Sequence, residues 1–449
     1  MAAGDQHGSG AYRQHLPDLT IPRSTIMQTQ DAHEYAKAFK ESGVPPWLHG
    51  LYLHWRKLHQ EPFKGITNDG HVRPNLFHLH NDGGMPITSI VSAAATFLST
   101  LNPSQRALVT QHHLDSPEWR TWSNPEFLLS DKGVRLDEVD PAARDAALGL
   151  LEATLSPEGY AKARAAMRIN GFLGGLVGAP RVVNEFSYNL VLFGCGGSEN
   201  GTDGGGGPSE TAPWGFSFYG HHLCLNVFLY RTQAVISPWF TGAEPNLIDD
   251  GPHAGTRILQ NEETLGLRLM RSLSAGGDNN NSSMRARAQV YKLLRDPAMP
   301  RGRWNHDDQR HLCGAYRDNR VVPYEGVLVS EMDETQQDMV RAILREYLLY
   351  LPAKAREVRM GEVEAWFHET FFCWIGGYGD DDAFYYRIQS PVIIVEFDHH
   401  SGVFLTNKEP AKFHIHTLLR TPNGGDYGMA LRPLIPGVEQ EYLWEGDKS

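Results

Sequence analysis

Three runs near the C-terminus, residues 383–390, 392–398 and 413–420, are rich in aromatic and β-branched side chains, and this commits that part of the chain to a sheet. In the second run Glu396 and Asp398 stand two residues apart, and in the third so do His414 and His416. Successive side chains leave a strand on opposite faces, so each pair shares a face. A hairpin joining the two runs brings two carboxylates and two imidazoles together, a ligand set suited to iron(II), manganese or zinc. Residues Phe413, Ile415 and Thr417 define the opposite face of the histidine strand. Carboxylates buried beside residues 392–395 are costly unless they are paired or bound to metal.

The rest of the chain alternates helix and strand signals. Residues 1–30 are polar and without periodicity and are expected to form a disordered tail. A single α+β domain is then expected over residues 31–435, with a C-terminal tail at 436–449. Helices are expected at 31–40, opened by Asp31, and at 87–101, before Asn102-Pro103. Others should follow Asp140-Pro141 and Ser156-Pro157, where an N-cap residue precedes proline at the first helical position. Further helices are expected at 265–273 and at 332–358, the latter interrupted at Pro352. Strands are expected at 182–193, at 214–228 as a pair with a tight turn, at 234–240 and at 367–374. The fold class is therefore α+β, a helical N-terminal part packed against a mainly antiparallel sheet that carries the His-X-His strand. The glycine-rich run 194–207 and the polar run 274–283 read as loop insertions.

Composition narrows the partners. A net charge of −12 without a local basic patch argues against nucleic acid. No apolar run reaches the roughly 18 residues of a membrane span, and the N-terminus lacks a secretory signal, so a cytoplasmic location is expected. Four widely spaced cysteines suit reduced thiols, and 21 histidines are compatible with metal chemistry. A small-molecule substrate is the expected partner.

Several further residues are candidates for the site. His222, Cys224 and Asn226 fall on one face of the expected strand pair, so His222 could complete a set of three histidines and one carboxylate while Asn226 positions a ligand or a metal-bound water. Arg387 could clamp a substrate carboxylate or pair with Asp380, Asp381 or Asp382. His399 and His400 lie at a strand end beside Ser401-Gly402 and are expected at the surface. The aromatic segment 119–125 is either core or pocket lining. The glycine-rich run lacks the Gly-Lys-Ser/Thr ending of a phosphate loop, and neither Gly-X-Ser-X-Gly nor Gly-X-Gly-X-X-Gly occurs in a setting fit for a serine hydrolase or a nicotinamide enzyme.

Taken together, Trp122-Ser123-Asn124-Pro125, Leu155-Ser156-Pro157-Glu158-Gly159-Tyr160, Trp214-Gly215-Phe216, Gly220-His221-His222-Leu223, Tyr386-Arg387-Ile388-Gln389, Glu396-Phe397-Asp398 and His414-Ile415-His416-Thr417 resemble domain-of-unknown-function family 3500 of bacteria and fungi. The resemblance implies one domain across the helical and sheet segments and carries no established activity. The residues themselves point to a metal-dependent enzyme acting on a small organic molecule. A non-haem oxidoreductase comes first, with Glu396, His414, His416 and His222 on the metal and Asp398 as general base or orienting partner. A zinc-dependent hydrolase on the same site and a non-enzymatic binding protein with a structural His/Asp cluster are the alternatives.

Overall fold

Helix starts follow their capping residues closely. Asp31 caps the helix Ala32–Ser42 in a reciprocal box with Glu34, and Asn102 does the same with Gln105 for Pro103–Thr110. Ser156 caps Pro157–Leu176, which runs nine residues past Met167, where the sequence pattern ends. Pro352 ends one helix, Glu334–Tyr347, and introduces the next, Ala353–Glu364. The computed structural model describes residues 10–43, 46–195, 207–274, 283–300, 303 and 308–438. The expected loop insertions and the C-terminal tail lie largely outside these residues.

Eleven strands form one mixed, mostly antiparallel sheet: β1 (Val134–Arg135), β2 (Tyr188–Phe193), β3 (Trp214–Gly220), β4 (Leu223–Tyr230), β5 (Gln233–Ala243), β6 (Gln289–Tyr291), β7 (Val327–Leu328), β8 (Phe371–Gly376), β9 (Phe384–Gln389), β10 (Ile394–His400) and β11 (Ala411–Arg420). Their order is β1-β2-β3-β4-β5-β11-β10-β9-β8-β6, with β7 also on β8, and only the β6–β8 pairing is parallel. The chain thus builds the sheet as two meanders, one from each half, joined where β5 meets β11. The α+β reading holds.

Both faces of the sheet are covered, which is why its strands read as almost unbroken apolar runs. Leu190, Leu192, Trp239, Val395 and Leu419 face one core, shared with the helices Ile87–Thr100, Pro141–Thr154, Pro157–Leu176 and Glu334–Tyr347. Their neighbours Val191, Phe193, Phe240, Ile394 and Leu418 face a second core, under the N-terminal helices and the loops around 119–128 and 312–322. Fully burying one such side chain contributes about 1.5–3 kcal/mol. The second face is also held by a buried ionic chain. Asp318 accepts from Arg120 Nε at 2.8 Å and pairs with Arg420, whose Nε donates to Asp426 Oδ2 at 2.8 Å.

Two sequence expectations fail here. Residues 10–30 are not a disordered tail: Tyr12 and Met27 are buried, and both Tyr12 and Arg13 bind Asp249. A few buried anchors suffice to fix a segment that has no periodicity. The strand at 182–193 begins only at Tyr188, because the Asn184 side chain accepts from Phe186 N at 2.8 Å and closes a turn. Among the described residues no helix is long and apolar enough to cross a membrane.

Candidate metal centre

The histidines converge on the second face because strand register puts them there. On β11, His416 stands opposite Asp398 of β10 and Gly242 of β5, and His414 is two residues along on the same face. His222 occupies the β3–β4 turn with φ 60°, held by its N–H to Asn124 O at 3.3 Å and by Gly242 N donating to its carbonyl at 2.8 Å. Gly242 is required at this point. A Cβ there would lie 2.8 Å from His222 Cδ2 and 2.9 Å from His416 Cδ2 and force the two rings apart.

The result is three buried Nε2 atoms in one spot. His416 Nε2 lies 3.0 Å from His414 Nε2 and 3.2 Å from His222 Nε2. The ligand atoms of the three residues all fall within 4.8 Å of one another. Proton positions follow from the partners. Asp308 Oδ1 is 2.8 Å from His416 Nδ1, so the proton of His416 sits on Nδ1 and Nε2 is a bare lone pair. Glu244 Oε1 stands 3.5 Å from His414 Nδ1 and favours the same tautomer. In that tautomer two nitrogen lone pairs face each other at 3.0 Å, which a cation between them would relieve; with its proton on Nε2 instead, His414 donates to His416 across the same gap. With metal–nitrogen bonds of about 2.1 Å, neighbouring ligands lie about 3.0 Å apart on an octahedral ion and about 3.4 Å apart on a tetrahedral one. These buried groups could hold a metal ion.

Electrostatics keep the rings neutral and therefore competent to bind. Burial pushes the pKa of His222, His414 and His416 well below the usual imidazole range, and neighbouring histidines push in the same direction. Burial also lowers His221 and His400 to about 3. His311 behaves oppositely. Burial alone would lower its pKa, but Asp308 and Asp398 outweigh that and raise it to about 10. Burial raises Asp398 to about 7, against the opposing pull of His311.

These shifts fix a pH profile for the metal-stripped protein. Rings with depressed pKa gain protons only on unfolding, so their contribution to stability is lost as the pH falls below about 6.5. Asp398 and His311 bind protons more tightly in the fold, so their contribution is lost as the pH rises, Asp398 between about 4 and 7 and His311 above about 6.5. Five such imidazoles outnumber the one carboxyl on the acid side. Urea unfolding at pH 5, 6.5 and 8 is therefore expected to give a maximum near 6.5, with the steeper loss toward pH 5. A steady gain down to pH 5 would show that the rings are not buried neutral.

The other anticipated residues divide. His222, His414 and His416 come together. Glu396 is not among the clustered ligand atoms; its oxygens accept from Leu312 N and Cys313 N, both at 2.8 Å, and from Tyr385 OH at 2.6 Å. Burial alone would raise its pKa, yet His311, Arg387 and these donors hold it below the usual range. Asp398 accepts from Arg310 N at 3.3 Å and lies 3.7 Å from His311 Nε2. Asn226 is satisfied within the sheet by Ser217 Oγ at 2.9 Å and Pro238 O at 3.0 Å. Arg387 pairs with Glu325 at 2.8 Å rather than with the acids at 380–382. His399 and His400 are buried, not at the surface. His399 packs on the opposite face against Glu263, at 3.2 Å, whereas His400 joins the cluster with its ring centre 4.2 Å from that of His416. Trp119 and Trp122 are core, while Asn124 and Pro125 line a pocket of about 280 Å³ that also touches His222, His400 and His416.

Two participants escaped the sequence reading. The rule that paired Glu396 with Asp398 extends to His400, two residues further on the same face. Asp308 had no such signal, since it comes from an irregular loop. Asp308, His400 and His416 form a second triad of close ligand atoms. No curated protein and no solved structure matches the chain. Residues 83–429, which carry the sheet and every histidine of the cluster, match a family described as "Protein of unknown function (DUF3500)", and the chain belongs to that family.

Proposed function

We propose that the chain is a metal-dependent enzyme acting on a small organic molecule, a non-haem oxidoreductase whose divalent ion, iron(II) first, is held by His222, His414 and His416. The convergence of three buried imidazole nitrogens, with His414 Nε2 and His222 Nε2 at 3.0 and 3.2 Å from His416 Nε2, carries this reading. Three ligands on one side of an octahedral ion leave positions for both a substrate and dioxygen. Asp308 orients His416 through Nδ1, as carboxylates commonly do behind metal-bound imidazoles. Asp398, beyond His311, belongs to the same buried network and positions it.

One observation favours zinc and hydrolysis as a second reading. The three rings are neutral, so a bound ion keeps its full charge and lowers the pKa of a bound water to about 7. The two readings separate in one series of measurements. Untagged protein is expected to contain nearly one equivalent of iron, manganese or zinc by plasma mass spectrometry. Anaerobic protein loaded with iron(II) is expected to bind nitric oxide and give a quartet-spin iron–nitrosyl resonance, since nitric oxide reports the open position dioxygen would take. Retention of zinc with no uptake of iron(II) moves the assignment to hydrolysis. A protein that retains no metal under any loading sinks both.

A further inference from the structure

The side chains of the pocket beside the histidines offer a ligand acceptors and no cation of their own, and this restricts what it can hold. His400 is 3% exposed, and its Nδ1 donates to Ser401 O at 2.8 Å, so Nε2 is a bare lone pair. That Nε2 has no hydrogen-bond partner among the described residues, and neither has Oδ1 of Asn124, which is 8% exposed. His221 gives its Nδ1 proton to Asn170 Oδ1 at 2.8 Å, which leaves its Nε2 an acceptor too. Glu126, also in the lining, is a carboxylate already accepting from Tyr35 OH at 3.2 Å. The Gln309 amide gives one N–H to Ser401 Oγ and accepts from Ser401 N. Among the described residues no lysine or arginine lines the pocket, and its apolar side is formed by Trp47, Leu51, Pro125, Phe127 and Val403.

We infer that the ligand of this pocket is a neutral aromatic molecule bearing a hydroxyl group, a phenol in chemical class, whose O–H donates to His400 Nε2 while its ring lies among Trp47, Pro125 and Phe127. The inference rests on the reading of the histidine cluster as the reacting centre, and it names what is presented there. A buried acceptor with no donor selects for a ligand that brings one, because leaving it unpaired costs part of its hydration. With the metal removed, a carboxylate or phosphate would meet lone pairs and Glu126 with no counter-charge from the lining side chains. Arg387, expected as a clamp for a substrate carboxylate, is held by Glu325 and does not line this pocket.

The test uses the full chain stripped of metal, so that direct coordination cannot mask the pocket's own preference. Binding of 4-ethylphenol, its methyl ether 4-ethylanisole and 4-ethylbenzoate is measured by titration calorimetry. The phenol is expected to bind roughly tenfold tighter than the ether, which differs only in lacking the donor hydrogen, and the benzoate more weakly than either. In His400→Leu the preference of phenol over ether should fall to about twofold or less. Trp47 is 54% exposed, so Trp47→Ala leaves the fold intact and should weaken the phenol severalfold. Equal binding of phenol and ether, tighter binding of the benzoate, or a preference that survives His400→Leu overturns the inference. Metal uptake on reloading the same preparation separates the two claims. A phenol preference in a protein that never takes up metal refutes the metal centre alone, and a protein that takes metal back up but shows no preference when stripped refutes this inference alone.

Discussion

Alanine at both His414 and His416 is expected to abolish metal retention while leaving a folded protein. Binding energies of roughly 10–16 kcal/mol for four-ligand structural zinc sites imply about 3 kcal/mol per ligand, so losing two of three protein ligands should weaken binding on the order of 10⁴-fold. Plasma mass spectrometry after exhaustive dialysis should read close to one equivalent for the native chain and none for the variant. Stability carries the second half of the argument. Truncating a well-packed core side chain costs about 2–5 kcal/mol, but here each alanine also removes a buried polar ring from a cluster whose Nε2 atoms crowd to 3.0 Å in the metal-free protein. Compared without metal, native and double variant should therefore differ by no more than about 2 kcal/mol in urea unfolding. A metal-free native protein that loses far more than this on substitution would identify the cluster as a satisfied polar core. Asp308→Asn gives a graded companion result. It keeps the side-chain shape but weakens the partner that orients His416, and metal affinity should fall roughly 10–100-fold without disappearing.

The strands of this site were legible in the sequence because a period of two is a local property. It placed His414 with His416 and Glu396 with Asp398, and the structure sets Asp398 directly across from His416. What the period does not encode is which of two neighbouring acids is taken up by its surroundings. Glu396 is, because the loop carrying Leu312 and Cys313 crosses the sheet at that point, and nothing in residues 392–398 announces the loop. The reach of a strand's alternation was also underestimated at its end. Ser401-Gly402 reads as an exposed turn, but the 401–407 loop folds back onto Glu244, which accepts from the N–H groups of Val403, Phe404 and Leu405, and this covers His400. The N-terminal segment was misread for a related reason. Tyr12 and Met27 are held by distant partners, and local composition carries no trace of them.

Glu396→Ala is expected to be the most destabilising single change at the site, and it separates an anchoring carboxylate from a metal ligand. The side chain is fully buried and accepts three hydrogen bonds, two of them from backbone N–H groups that have no other acceptor among the described residues. Removing it strands those two donors, leaves Tyr385 OH without its acceptor, and takes away a negative charge that faces His311 and Arg387. Breaking a buried charged partnership costs about 3–5 kcal/mol, a large share of the 5–15 kcal/mol by which a domain is stable. The loop that Glu396 ties down also carries Asp308, and Asp308 reaches His416. Metal affinity should therefore fall with the positioning of His416, by about the 10–100-fold typical of an orienting partner, while the stoichiometry at saturating metal stays at one. Urea unfolding and metal titration on the same variant read the two effects separately. Were Glu396 bound directly to the ion, the order would reverse: stability without metal would change little, and the saturating stoichiometry would collapse as in the double histidine variant. The geometry favours the first outcome, because an acid already accepting from Leu312, Cys313 and Tyr385 has its lone pairs committed to holding the loop in place.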